Sequence, residues 1–134
     1  MKTTQITVHK IGSVLKKVLT NKSVTISNEI VPKSGTAIVV EALDGKKKYG
    51  QLELSNGRMS KIRTGDLMIG MLGERKALVG IVGIVPQSIR VGDTLHVLNI
   101  AGVLGKAVSW NKDVVTAPIR VRAVGTVLVD GKPL

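Results

Sequence analysis

The phrase Ile-Arg-x-Gly-Asp occurs twice in this chain, at residues 62–66 and 89–93, 27 positions apart. Each copy runs into an apolar stretch, 67–72 after the first and 95–98 after the second. A fixed phrase at a fixed offset marks a repeated structural unit. Its glycine supplies a backbone conformation that other residues resist. Its aspartate can accept hydrogen bonds from nearby backbone N–H groups. The apolar stretch then enters the core as a strand. The repeat therefore constrains architecture strongly and activity weakly.

The composition points the same way. Apolar residues make up 43% of the 134, yet there is no Phe, one Trp (Trp110) and one Tyr (Tyr49). Val, Ile and Leu must fill the core, and β-branched side chains favour strands. The length fits one domain over residues 1–134 with a core of its own. Cysteine is absent, which removes disulfides, thiol nucleophiles and Cys-ligated metal sites. Together with an N-terminal stretch that lacks a signal-peptide apolar run, this predicts a cytoplasmic protein. The most membrane-like stretch, 67–85, is interrupted by Glu74, Arg75 and Lys76. Three charges there are costly in a bilayer, so no membrane span is expected.

Along the chain, Val8, Ile11, Leu15, Val18 and Leu19 have helical spacing and predict an N-terminal helix over 8–20. Gly12 and the β-branched residues leave a second reading open, a strand over 5–8 followed by a shorter helix. From Val24 onward the pattern is β: 24–26, 36–43, 46–54, 58–62, 67–72, 77–85, 94–98, 103–108 and 119–129. Asp44-Gly45 and Asn56-Gly57 are two-residue hairpin signals, and Asp130-Gly131 closes the last strand. Many short strands bent by glycines predict a mostly β fold, a small closed or semi-closed β-barrel.

The paired Gly-Asp phrases resemble the "GD box" of cradle-loop β-barrels. That group includes double-psi barrels, riboflavin-synthase-like barrels and the barrel that follows the G domain in translation factors. Gly80-Ile81-Val82-Gly83-Ile84-Val85 through Ser88-Ile89-Arg90-Val91-Gly92-Asp93-Thr94-Leu95-His96-Val97-Leu98 is similar to the translation-factor pattern of a glycine-containing strand, a turn and a Gly-Asp leading into a strand. The likeness spans residues 60–100. It implies a barrel and no particular activity.

The charge is the main functional signal. Twenty Lys and Arg against nine Asp and Glu give a net +11, which favours polyanionic or phosphate-bearing partners; the plainer reading is a solubilising surface. The cations expected to carry such binding are Lys46, Lys47, Lys48, Arg75, Lys76, and Arg120 with Arg122, which alternate on one strand face. With only Tyr49 and Trp110 available for base stacking, sequence-specific single-strand recognition is disfavoured. Backbone-directed binding to structured RNA needs only Lys and Arg. The expected partner is RNA or another polyanion, in a ribonucleoprotein or other larger complex.

A second reading places a ligand on a glycine-rich rim made of Gly73, Glu74, Arg75, Lys76, His96, Gly102, Gly105 and Lys106. Glycines permit close backbone approach, and the cations could hold a phosphate. On that reading the chain is a small-molecule or phospho-ligand binder, or a small enzyme. A third reading is an accessory subunit of a homo-oligomer. Dedicated catalytic chemistry is not visible. Asp44, Asp66, Asp93 and Asp130 adjoin glycines and read as turn or cap residues. Glu29, Glu41 and Glu53 read as surface residues. The histidines, His9 and His96, have no metal-ligand spacing, and alternation turns His96 outward. No phosphate-loop or nucleophile-elbow phrase occurs. The reading assigns no metal, no cofactor and no catalytic residue.

Overall fold

A computed structural model describes residues 3–16, 19, 21–44, 51–54, 58–74, 81–99, 101–110, 119–129 and 131–134. It is mostly β. The strands are β1 (Thr3–Thr7), β2 (Lys10–Ile11), β3 (Ser23–Ser27), β4 (Ala37–Ala42), β5 (Gln51–Glu53), β6 (Met59–Lys61), β7 (Leu67–Leu72), β8 (Ile81–Ile84), β9 (Thr94–Val97), β10 (Val103–Trp110), β11 (Arg120–Val129) and β12 (Lys132–Pro133). The last two pair antiparallel, with Leu128 opposite Pro133.

The strand pairings return to their starting point. β4 pairs antiparallel with β7, β7 parallel with β10, β10 antiparallel with β9, β9 antiparallel with β11, and β11 antiparallel with β4. The sheet is thus partly ring-like. Its inner face collects Ile38, Val40, Ala42, Met68, Leu72, Leu95, Leu104, Val121 and Ala123 into one apolar core. The opposite face of β4 and β7, with Ala37, Val39 and Ile69, packs against Val8, Ile11, Leu15, Val24 and Ile26 from the first 27 residues. Ile38 and Val39 are both 0% exposed, so β4 is covered on both faces. The apolar run over 37–40 follows from that, and Glu41 comes after it, where the strand meets Arg122.

The two Ile-Arg-x-Gly-Asp phrases fold into the same corner. In the first, the Arg63 N–H donates to Asp66 Oδ2 (2.9 Å), and the Asp66 N–H to the Arg63 carbonyl (3.0 Å). The Gly65 N–H reaches the Ala42 carbonyl (2.8 Å), and the Ala42 N–H the Asp66 carbonyl (2.9 Å). In the second, the Arg90 N–H donates to Asp93 Oδ2 (2.9 Å), and the Asp93 N–H to the Arg90 carbonyl (3.0 Å). The Gly92 N–H reaches the Ala123 carbonyl (2.8 Å), and the Ala123 N–H the Asp93 carbonyl (2.9 Å). Gly65 and Gly92 have φ of 90° and 94°, the left-handed region that glycine enters without penalty. Ile62 and Ile89 are buried. Each corner thus plugs an isoleucine into the core and launches a strand.

The registers carry the same relation further. Glu41 pairs with both Leu67 and Arg122, and Arg122 pairs with both Glu41 and Thr94. Exchanging β4 with β11 and β7 with β9 maps Ala42 onto Ala123, Met68 onto Leu95 and Asp66 onto Asp93. The pairing pattern is therefore its own image about the Glu41–Arg122 pair.

One expectation is corrected. The helix over 8–20 is not present: the described part of that stretch holds β2 and a 3₁₀ turn, Ser13–Leu15. Val8, Ile11 and Leu15 are buried as their spacing requires, but a strand and a tight turn bury them. Gly12 is extended, with φ −64° and ψ 146°, and its N–H donates to the Ile69 carbonyl (2.9 Å). That bond to β7 competes successfully with helix formation. The alternative of an early strand is the closer one, with β1 over Thr3–Thr7. The Asp44-Gly45 hairpin signal lies at the edge of the described residues, which leave out 45–50; in the described part β4 pairs with β7 and β11, and β5 with β6. Across Asn56-Gly57, by contrast, β5 and β6 pair antiparallel, Gln51 opposite Lys61. Among the described residues no helix is long and apolar enough to cross a membrane.

Candidate functional site

Arg120 and Arg122 alternate with buried Val121 and Ala123, so both guanidinium groups stand on the outer face of β11. Each meets an acid. Arg120 forks onto Asp44, Nε to Oδ2 at 3.1 Å and Nη2 to Oδ1 at 3.0 Å, while its backbone N–H also donates to Oδ2 (3.0 Å). The hydrogen bonds and charge of Asp44 hold the Arg120 guanidinium still more firmly protonated than usual. Arg122 Nη2 donates to Glu41 Oε1 at 2.8 Å. Asp44 is thus a carboxylate matched to Arg120, a role beyond the turn position expected for it. Lys46, Lys47, Lys48, Arg75 and Lys76 lie outside the described residues, as does Asp130.

The corners expose further cations. Lys61 and Arg63 are exposed on either side of buried Ile62, and Arg90 is exposed beside buried Ile89. The signal was in the repeat itself: an Ile that enters the core fixes its Arg neighbour on the outside.

Part of the expected glycine rim comes together. The Gly73 N–H donates to the Leu104 carbonyl (3.0 Å), His96 stands opposite Gly105, and exposed Lys106 follows. Glu74 is exposed next to Gly73. Gly102 is elsewhere: its carbonyl accepts the Met71 N–H (3.0 Å), and its Cα is within reach of Gly12. It belongs to the packing between β7 and the 3₁₀ turn.

His96 is half-buried between buried Leu95 and Val97. Its Nδ1 accepts the Ala107 N–H at 3.1 Å. One ring nitrogen is therefore engaged in holding β10, and the neutral imidazole carries its proton on Nε2. His9 has a matching arrangement, with Nδ1 accepting the Leu67 N–H at 2.9 Å. Glu53, expected on the surface, is half-buried and accepts a hydrogen bond from Ser13 Oγ at 2.6 Å.

The two corner aspartates differ in their surroundings. Asp66 is mostly covered and carries the Lys10 ammonium on the same oxygen that caps Arg63. Burial pushes its carboxyl up, but the Lys10 hydrogen bond, the Arg63 N–H and the charges of Lys10 and His9 together bring it below the ordinary value. Asp93 keeps the cap on Arg90 and is exposed. It borders a cleft of about 330 Å³ lined by Pro86, Ser88, Ile89, Thr94, Leu95 and Lys106.

No protein family, curated protein or solved structure matches this chain.

Proposed function

We propose that the chain is a non-enzymatic binding module, a small closed barrel in one domain, whose partner is a polyanion. Structured RNA or a ribonucleoprotein is favoured over DNA. The observation that carries this reading is the fate of the acids. Asp44, Glu41 and Asp66 are matched to Arg120, Arg122 and Lys10, and each such pair cancels one charge of each sign. The surplus of 20 − 9 = 11 positive charges has no acid of the chain to neutralise it. Such a surplus raises the local concentration of phosphate chains and speeds their capture. Tyr49 and Trp110 are too few to build a stacking track, so phosphates rather than bases are the target. Lys46, Lys47 and Lys48 are the leading contacts. Arg120 and Arg122 contribute less, because their guanidinium groups already face carboxylates.

Salt titration tests the reading. Binding of a labelled RNA duplex, followed by fluorescence anisotropy, should weaken about 10²-fold between 50 and 200 mM monovalent salt if about four phosphates are neutralised. Replacing Lys46, Lys47 and Lys48 together by alanine should reduce the log–log slope by about 2 to 3. A duplex that does not bind at 50 mM salt, or binding indifferent to salt, would contradict the proposal.

A further inference from the structure

Of the two equivalent corners, only the first is overlaid by another strand among the described residues. β2 lies parallel to β7, with Lys10 opposite Met68 and Ile11 opposite Ile69. The His9 N–H donates to the Leu67 carbonyl (2.8 Å), and the Leu67 N–H to His9 Nδ1 (2.9 Å). The Lys10 ammonium rests on Asp66.

Thr94 occupies the place of Leu67 in the second corner. The bonds from the Ala123 N–H to the Asp93 carbonyl (2.9 Å) and from the Val97 N–H to the Ile119 carbonyl (3.0 Å) fix the alternation along β9. Residues 93, 95 and 97 bond to β11, so the Thr94 N–H and C=O point away from it. On that side runs β10, with Leu104 opposite Val97 and Gly105 opposite His96. Continued by two residues, the register would bring Ala107 to Thr94. It does not continue. Ala107 pairs with Gly83 of β8, and its N–H donates to His96 Nδ1. β10 leaves β9 at this fork, and the cleft bordered by Asp93, Thr94 and Lys106 opens there. Lys106, on its wall, forms no ion pair with Asp93. The second corner thus offers a strand edge one residue long, an exposed carboxylate beside it, and an apolar lining from Ile89 and Leu95.

We infer that this cleft takes an extended segment of another protein chain, added as a short strand beside Thr94 with a lysine ammonium seated on Asp93. The first corner is the template: backbone pairing supplies the attachment and the Lys–Asp pair the selectivity. This inference is independent of the polyanion reading.

A peptide copied from residues 7–13 of the chain, Thr-Val-His-Lys-Ile-Gly-Ser, is the natural ligand analogue, titrated into the ¹⁵N-labelled full chain. Saturable shifts of the Thr94 and His96 amides are expected. Replacing the peptide lysine by norleucine should weaken binding about tenfold, and Asp93→Asn, which keeps an acceptor for the Arg90 N–H, should do the same. The two changes together should weaken it no further than either alone. If Asp93→Asn lowers the melting temperature, the norleucine comparison decides alone. The inference is overturned if the peptide does not bind at millimolar concentration, if norleucine binds as well as lysine, or if only amides around Leu67 shift.

Discussion

Gly70→Ala should destabilise the chain by about 3 kcal/mol. A Cβ at position 70 would stand 2.4 Å from the Gly102 carbonyl oxygen and 2.7 Å from Leu104 Cδ1. The side chain could turn aside, but the carbonyl cannot easily follow. Gly102 has a φ of 97°, and its own missing Cβ would lie 3.0 Å from Gly12 Cα. Three backbone segments, β7, the start of β10 and the 3₁₀ turn, meet there without side chains between them. Inserting one methyl group must separate β10, which brings Leu104 to the inner core, from β7, which lies between the two cores. Gly35→Ala is the control. Gly35 has a φ of 93° with nothing within 4 Å of the added carbon, so it bears only backbone strain, about 1 kcal/mol. Urea melts of the two variants separate crowding from strain. Equal losses would show that the close approach at Gly70 is not what holds β7 against β10.

The two corner aspartates should differ although their turns are alike. Asp93→Ala removes one backbone cap and should cost about 1 kcal/mol. Asp66→Ala removes the same cap and also leaves the Lys10 ammonium, only 12% exposed, without its carboxylate. A charge stranded in that way raises the loss to about 2–3 kcal/mol. The difference should also appear in acid. The Asp66 carboxyl titrates below its ordinary value in the folded chain, so on acidification the unfolded chain takes up the proton first. Its contribution is complete above the unfolded carboxyl pKa, about 3.9, and is lost as the pH falls through the lower folded value. Asp66→Asn should therefore flatten the acid limb of the stability profile. An unchanged limb would mean that the Lys10–Asp66 pair contributes nothing.

Much of this architecture is legible in the residues. β7 lies where its apolar run put it, and β9, β10 and β11 follow theirs to within two residues. The repeat specified two turns of one geometry because glycine at positive φ followed by a capping aspartate leaves little choice. The N-terminal segment was misread because Val8, Ile11 and Leu15 satisfy two geometries. Apolar spacing reports which side chains are buried, and the Gly12 bond to β7, made 57 residues away, decides how. The ion pairs were equally out of reach. Nothing near Asp44 in the chain announces Arg120, and the Glu41–Arg122 contact follows only from the register of β4 on β11. The fork in β10 depends on a histidine that accepts a backbone N–H, and such a role has no local signature. The charge surplus, in contrast, is fixed by composition and needs no fold to be read.

The claim on which the rest depends is that both corners do the same work, each docking its strand against the β4–β11 pair. Glu41–Leu67 and Thr94–Arg122 are non-hydrogen-bonded antiparallel pairs, the kind with closely approaching Cα atoms, about 4.5 Å apart. Nuclear Overhauser contacts between their Hα protons are the direct measurement. The structure predicts strong Hα–Hα contacts at both pairs. A contact at Glu41–Leu67 without one at Thr94–Arg122 would mean that β9 does not close onto β11, and the equivalence of the two corners would fail.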